Sequence, residues 1–310
     1  MKVGFIGLGR MGQGMARNLV KSGADLVVFD VNTDAVKALT DAGATSAASV
    51  AELAAQVDVL FTSLPGPVQV EEVILGPQGV MAHMRQGLVL FDLSTSSLSL
   101  ARRIHAAFQE RGASMFDAPV SGGPAGAASG DLALWIGGDK AVFEKHQALV
   151  RAIGDKATLV GPIGAGTIAK LSHNMLGYMF LESMAEVFSL AVKAGMDPLD
   201  LWEAMQLGLV GRASAMTMLV NQFLPGKYEP AAFALKLAHK DVTLATTMAK
   251  ELGVPMRLAN LTLEEMTEAL ARGFGEQDSR AYMKLQLERA GVSVAVDPER
   301  LQQAVARAKR

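Results

Sequence analysis

Three glycines near the start of the chain limit its fold more than any other feature. The stretch "GFIGLGRMGQGMARNL" carries Gly7-x-Gly9-x-x-Gly12. An apolar run, "KVGFI", precedes the motif and residues of helical spacing follow it, so the glycines sit where a strand turns into a helix. In that position the first glycine permits a tight turn and the second lets backbone approach a pyrophosphate. The third lets helix and strand pack closely, and the helix N-terminus favours the phosphates. Gly7, Leu8, Gly9, Arg10, Met11 and Gly12 are therefore the candidate phosphate loop. A second apolar run, "DLVVFD", ends in Asp30, eighteen residues beyond Gly12, where a ribose-binding carboxylate belongs. This combined context favours dinucleotide binding over a tight turn without a ligand. Asp30 can accept hydrogen bonds from ribose hydroxyls but repels a 2′-phosphate, and the following "VNTD" offers no Arg or Lys to hold one. NAD is thus favoured over NADP, with Arg10 expected to face solvent or the pyrophosphate.

The first half of the chain continues in the same alternation. The runs "VDVLFTSLP", "GLVLFDLS", "SMFDAPV" and "LALWIGG" read as strands, and helices are expected at Gly12–Ser22, through "TDAVKALTDAG", near Val68–Ile74 and over Leu98–Arg111. Short strands separated by amphipathic helices predict βαβ units. The pattern changes near Gly161. From Thr167 onward helical periodicity is almost unbroken, with Gly and Pro clustering at "AGMDP", "LPGKYEP", "LGVP" and "RGFGEQD". The expected fold is α/β: a Rossmann-type doubly wound sheet domain over residues 1–162, then an all-helical domain over 163–310. A long helix from about Thr167 to Ala194 would link them. The tail from Val292 to Arg310 reads as an amphipathic helix.

Composition removes several functions. Half of the 310 residues are hydrophobic and 19% are charged, which is a globular balance. A net charge of −2 gives no footprint for nucleic acid or an anionic membrane. Cysteine is absent, so disulfides and thiolate chemistry are out, in keeping with the cytoplasm. The five histidines are scattered without metal-ligand spacing, and no metal site is expected. The N-terminal apolar run is too short and glycine-broken to read as a signal peptide. The greasiest stretch, "MLGYMFLESMAEVFSLAV", holds Glu182 and Glu186, so it reads as a buried helix and not as a membrane span. Met175, Met179 and Met184 in it are expected to pack a core.

Three further stretches could carry chemistry. "DAPVSGGPAGAASGDL" sets four glycines and Ser121 after an apolar run. Successive N–H groups there could form an anion-binding nest, or the segment could be a surface loop. "LSTSS" puts Ser94 and Thr95 at a strand end, as cofactor contacts or as a helix cap. In "GAGTIAKLSHNM", Lys170 and Asn174 stand four apart on one helix face, which suits a solvated pair as well as a catalytic one. His173 reads as a packed or hydrogen-bonded helix histidine.

Taken in order, "GFIGLGRMGQGMARNLVKSG", "DAPVSGGPAGAASGDL", "GPIGAGTIAKLSHNM" and "KDVTLA" resemble the β-hydroxyacid dehydrogenases, the group that contains 3-hydroxyisobutyrate dehydrogenase and tartronate semialdehyde reductase. The resemblance runs from Lys2 to about Ala290. It implies Lys170 as the catalytic residue with Asn174 as its partner, and Ser121, Gly122 and Gly123 as holders of a substrate carboxylate. Leu64, Pro65 and Thr95 would line the cofactor. Lys240 would lie near the nicotinamide, Asp241 would support it, and Phe233 would border the substrate. A homodimer or homotetramer formed through the helical half is also implied. The activity would be NAD-dependent oxidation of a short 3-hydroxy acid or reduction of its semialdehyde. 3-Hydroxyisobutyrate, glycerate with tartronate semialdehyde, 4-hydroxybutyrate, serine and threonate are the candidate substrates. An imine reductase is the rival enzyme, and a non-catalytic NAD sensor the rival of another class. Arg212 would either meet a second acidic group on the substrate or serve as a structural cation.

Overall fold

The computed structural model describes residues 1–212, 217–291 and 293–308. Within its helices some side chains, among them those of Arg212, Lys240 and Asp241, lie outside the described residues. The chain forms two compact units, Met1–Leu176 and Gly177–Arg310.

The first unit is built on a nine-stranded sheet. Its strands are β1 (Lys2–Ile6), β2 (Asp25–Phe29), β3 (Thr45–Ser46), β4 (Val59–Thr62), β5 (Val89–Asp92), β6 (Ser114–Asp117), β7 (Val120–Ser121), β8 (Ala133–Gly137) and β9 (Lys156–Gly161). The order β3-β2-β1-β4-β5-β6 is parallel throughout and reverses direction between β1 and β4. Ligands of such sheets bind beyond the strand ends at that reversal. The helices of this unit are α1 (Gly12–Lys21), α2 (Thr33–Thr40), α3 (Val50–Ala54), α4 (Pro67–Leu75), α5 (Val80–His83), α6 (Leu98–Glu110), α7 (Gly123–Ser129) and α8 (Lys140–Ile153). They cover both faces, which is why the central strands are continuous apolar runs and not alternating ones.

Two cores result, one on each face of the sheet. On one face Phe5, Phe61, Phe91 and Phe116 stack across β1, β4, β5 and β6, with ring centroids 6.3, 5.3 and 4.6 Å apart. All four rings are fully buried. The ladder fixes the strand register, and the residue after each of the last two phenylalanines is an aspartate: Asp92 pairs with Asp117.

The apolar runs read as strands correspond to β1, β2, β4, β5, β6 and β8. β3 and β9 were not legible: β3 is two residues long and polar, and "KATLVG" of β9 is half-exposed. β8 runs antiparallel to β6 and β7, so the sheet is mixed at that edge. The glycine-rich stretch after Ser121 is not an open loop; Gly123–Ser129 is helical.

α9 (Ala165–Lys193) runs from the first unit into the second. The second unit adds α10 (Pro198–Leu207), α11 (Leu209–Arg212), α12 (Leu235–Leu252), α13 (Arg257–Ala271), α14 (Met283–Arg289) and α15 (Pro298–Ala308). Among the described residues its buried clusters centre on Leu235, Met266 and Leu285 and on Leu190, Ala249 and Met256. Glu186 is buried there and accepts the N–H groups of Leu258 at 2.8 Å and Ala259 at 3.2 Å, capping α13. Met175, Met179 and Met184 do not pack a core as expected: they are 61, 51 and 52% exposed. Periodicity shows that an apolar stripe exists but not whether the chain's own fold covers it. No helix among the described residues is long and apolar enough to cross a membrane.

Candidate active site

A cleft of about 310 Å³ opens beyond the C-terminal ends of β4, β5 and β7 in the first unit. Met11, Ser63, Leu64, Pro65, Leu93, Ser94, Thr95, Val120, Ser121, Gly122, Gly123 and Lys170 line it. Residues from five separate parts of the chain thus meet in one place.

The glycine turn after β1, which meets the cleft through Met11, is shaped for close backbone approach. Gly7 has φ +96°, and a β-carbon there would stand 2.2 Å from the Ser63 carbonyl oxygen. A β-carbon on Gly12 would stand 1.8 Å from the Gly7 carbonyl oxygen. These two glycines close the turn. Gly9 differs: no protein atom lies within 4 Å of its would-be β-carbon. That open space over a glycine is where a pyrophosphate would lie. α2, α3, α6 and α8 are capped by the side chains of Asn32, Ser49, Ser97 and Asp139; α1, α4 and α7, which start beside the cleft, have no side-chain cap, nor does α5, which starts away from it. N–H groups at uncapped helix starts suit anionic phosphates. The residues present therefore fit a dinucleotide.

Asp30 is half-buried and accepts the Leu8 N–H at 2.5 Å and the Asn32 N–H at 2.7 Å. It braces the glycine turn and is not part of the cleft lining. Arg10 is exposed. Across the cleft a buried chain of hydrogen bonds orders the other wall. Asp92 accepts the Thr62 hydroxyl at 2.9 Å and the Ser94 N–H at 3.1 Å, and the Ser94 hydroxyl oxygen accepts the Leu64 N–H at 2.9 Å. Ser94 therefore does not cap α6; Ser97 does.

On the third side Gly122 and Gly123 take φ +138° and +64°. Gly123 faces open space, so its backbone is accessible to a ligand. Ser121 lies within 3.4 Å of His173 Nε2, whose ring lies 5.0 Å from that of Trp135. The small residues of α7 serve packing: a β-carbon on Gly14 of α1 would stand 2.7 Å from the Ala127 carbonyl. The glycines before Lys170 do the same and do not expose backbone to a ligand. A β-carbon on Gly166 would stand 2.3 Å from the Trp135 oxygen, and one on Gly164 2.4 Å from Leu98.

Lys170 is half-buried, and desolvation lowers its pKa below the ordinary lysine range. Asn174, also half-buried, stands one turn further along α9 and is not part of the cleft lining. Phe233 belongs to the second unit and is 44% exposed. The side chains of Lys240 and Asp241 lie outside the described residues. No group of three metal-ligating side chains occurs among the described residues.

Two buried carboxylates, Asp92 and Asp117, escaped sequence reasoning. The signal was there: "VLFD" and "SMFD" end in an acid as "VVFD" does, but only the last carried a spacing from the glycine motif.

Residues 2–161 match the family of the NAD binding domain of 6-phosphogluconate dehydrogenase, and residues 164–286 the family described as NAD-binding of NADP-dependent 3-hydroxyisobutyrate dehydrogenase. The chain is 37% identical to 2-(hydroxymethyl)glutarate dehydrogenase of Eubacterium barkeri, over 95% of this chain and 98% of that one. It is 37% identical to the NAD-dependent L-serine dehydrogenase of Pseudomonas aeruginosa, over 92% of this chain and 97% of that one. The crystal structure of 3-hydroxyisobutyrate dehydrogenase from Salmonella typhimurium aligns with a TM-score of 0.60 at 32% identity, over 92% of this chain and 99% of that one.

Proposed function

We propose a reaction for this chain, which belongs to the β-hydroxyacid dehydrogenase family and is an NAD-dependent oxidoreductase acting on CH–OH groups. It oxidises a short 3-hydroxy acid, or reduces the matching semialdehyde, with Lys170 as general base and acid. The observation that carries this reading is the meeting of Lys170, Ser121 and the Leu64-Pro65 wall in one cleft.

When bound, NAD supplies the hydride acceptor and its reduced form the hydride donor. Gly7 to Gly12, Asp30, Leu64, Pro65, Ser94 and Thr95 would hold it, and the carboxylate of Asp30 favours NAD over NADP. The Ser121 hydroxyl and the N–H groups of Gly122 and Gly123 would donate to the substrate carboxylate, with His173 orienting the hydroxyl. An ordinary lysine is almost fully protonated at neutral pH and is a poor base. Desolvation makes the neutral amine accessible, so Lys170 can take the hydroxyl proton in oxidation and return it in reduction. Asn174, a neutral amide, can position a substrate oxygen without raising the lysine pKa as a carboxylate would. By the family resemblance, Phe233 and Asp241 are assigned to the substrate and Lys240 to the substrate and nicotinamide.

3-Hydroxyisobutyrate and tartronate semialdehyde are the first substrates to test, followed by 4-hydroxybutyrate, L-serine, threonate and 2-(hydroxymethyl)glutarate. The last carries a second carboxylate, for which Arg212 is the candidate partner. The exposed apolar side chains of α9, Leu171, Met175, Met179 and Met184 among them, support a homodimer or homotetramer through the helical half.

Replacing Lys170 with Ala tests the assignment. Turnover on the best acid of the panel should fall by about 10²–10⁴-fold, while NADH titration by fluorescence gives an unchanged affinity. Retained turnover would overturn the mechanism and leave an NAD-binding protein whose activity lies elsewhere.

A further inference from the structure

Asp117 has no part in the chemistry just described, yet it is 3% exposed and fully engaged. Its Oδ1 accepts the Gly164 N–H at 2.7 Å and its Oδ2 the Thr167 N–H at 2.6 Å. The Thr167 hydroxyl, itself buried, also bonds to it. Gly164 directly precedes α9, Thr167 lies in its first turn, and Lys170 comes three residues later on the same helix. In the other direction the backbone runs from Asp117 at the end of β6 to Ser121 in four residues. One carboxylate therefore joins the two segments that carry the ammonium and the substrate turn.

This is unlike the other helix caps of the unit. Asn32, Ser49 and Ser97 each cap a helix from within three residues of the N–H they bind, which stabilises the helix alone. Asp117 caps α9 from 47 and 50 residues away, so its bonds fix where the helix stands on the sheet. The neighbouring backbone leaves no slack. A β-carbon on Gly137 would stand 2.3 Å from Asp117 Oδ1, and one on Gly166 2.4 Å from the Asp117 carbonyl oxygen. Asp92 lies beside Asp117 on β5 and is the other carboxylate at this sheet end.

We propose that Asp117 is the positioning residue of Lys170: it clamps the first turn of α9 to the end of β6 and so sets the spacing between the ammonium and the Ser121-Gly122-Gly123 turn. The proposal rests on the assignment of Lys170 as acid and base. A carboxylate suits the task because both oxygens accept, whereas an amide would turn an N–H towards one of the donors.

Asp117→Asn and Thr167→Val in the full chain test it. Asp117→Asn should keep its NADH affinity within about twofold and lose at least about tenfold in kcat, with a smaller change in KM. As Lys170 regains water its pKa rises, so in the oxidation direction the ascending low-pH limb of the kcat/KM profile, set by deprotonation of the base, should move up by about one pH unit. Thr167→Val should move both quantities the same way by less. The pH dependence of Lys170 acetylation by acetic anhydride, read by peptide mass spectrometry, should show the same displacement without any turnover. Folded Asp117→Asn with wild-type kcat and an unchanged acetylation profile would overturn the proposal. If Asp117→Asn does not fold, Thr167→Val decides: unchanged kcat and acetylation there overturn it equally. Wild-type protein that turns over no acid of the panel, while Asp117→Asn still displaces the acetylation profile, would remove the reaction assignment and leave the positioning role standing.

Discussion

Asp92 and Asp117 lie side by side at the ends of β5 and β6, paired in register and both buried. Burial raises the Asp92 pKa to about 6, against the hydrogen bonds from Ser94 and Thr62, and the charge of Asp117 adds to the rise. A folded-state carboxylate that holds its proton more tightly than the unfolded chain is most favourable at low pH. Its contribution falls as pH rises from about 4 to about 6, and the full penalty stands above that. Asp92→Asn should therefore be more stable than the wild type at pH 8, by at most about 3 kcal/mol, and lose that advantage at pH 4. Denaturant melts of both proteins at the two pH values check the sign. A variant less stable than the wild type at pH 8 would show that the charged form is the one this site prefers.

Two glycines of one turn, Gly9 and Gly12, should separate binding from folding.

 Both belong to the turn after β1, yet they meet different surroundings. Gly12→Ala would drive a methyl group into the Gly7 carbonyl oxygen, 1.8 Å away, and should lower Tm sharply. Gly9→Ala meets no protein atom within 4 Å, so it should melt like the wild type and still lose at least about tenfold in NADH affinity by filling the pyrophosphate position. Thermal scans and NADH titrations of the two variants give the answer. Undiminished affinity in Gly9→Ala would place the pyrophosphate somewhere else.

Asp30 holds the Leu8 N–H at 2.5 Å, and the proposed cofactor assignment gives it a second duty at the ribose. Asp30→Ala should lower kcat/KM for NAD by about tenfold or more and leave NADP less disfavoured, since the repulsion of a 2′-phosphate goes with the charge. Steady-state rates with both cofactors measure the ratio. A ratio that stays as in the wild type would assign Asp30 to the turn alone.

Glu186 holds two N–H groups at the start of α13 from inside the helical unit. Glu186→Ala leaves both part-buried donors without that acceptor and should cost about 1–3 kcal/mol, while Glu186→Gln keeps one acceptor and should cost less. Urea melts followed by circular dichroism at 222 nm report the loss. Equal stability of all three proteins would mean that water replaces the carboxylate at no cost.

The parts of the fold that repeat a local rule were legible in the sequence. Gly7, Gly9 and Gly12 between a strand and a helix, and six apolar runs in alternation with helical ones, specify a dinucleotide fold because each rule acts within a few residues. The unbroken helical periodicity after Thr167 specified the helical half in the same way. Where a rule needs a partner, the sequence fell short. β3 and β9 owe their pairing to neighbours and not to their own composition. Gly123–Ser129 is helical because its small residues pack against α1, and Gly164 and Gly166 are there for helix–sheet contact.

The cleft follows the same division. The sequence by itself determined which side chains could do chemistry: Lys170, Ser121 and Asp30 are named by motifs of short span. Only the tertiary structure decided that Lys170 is partly withdrawn from water, that Ser94 braces Leu64, and that Asp117 reaches 50 residues along the chain to hold Thr167. Desolvation and long-range hydrogen bonds depend on what surrounds a group in space, and no local pattern of residues contains that information.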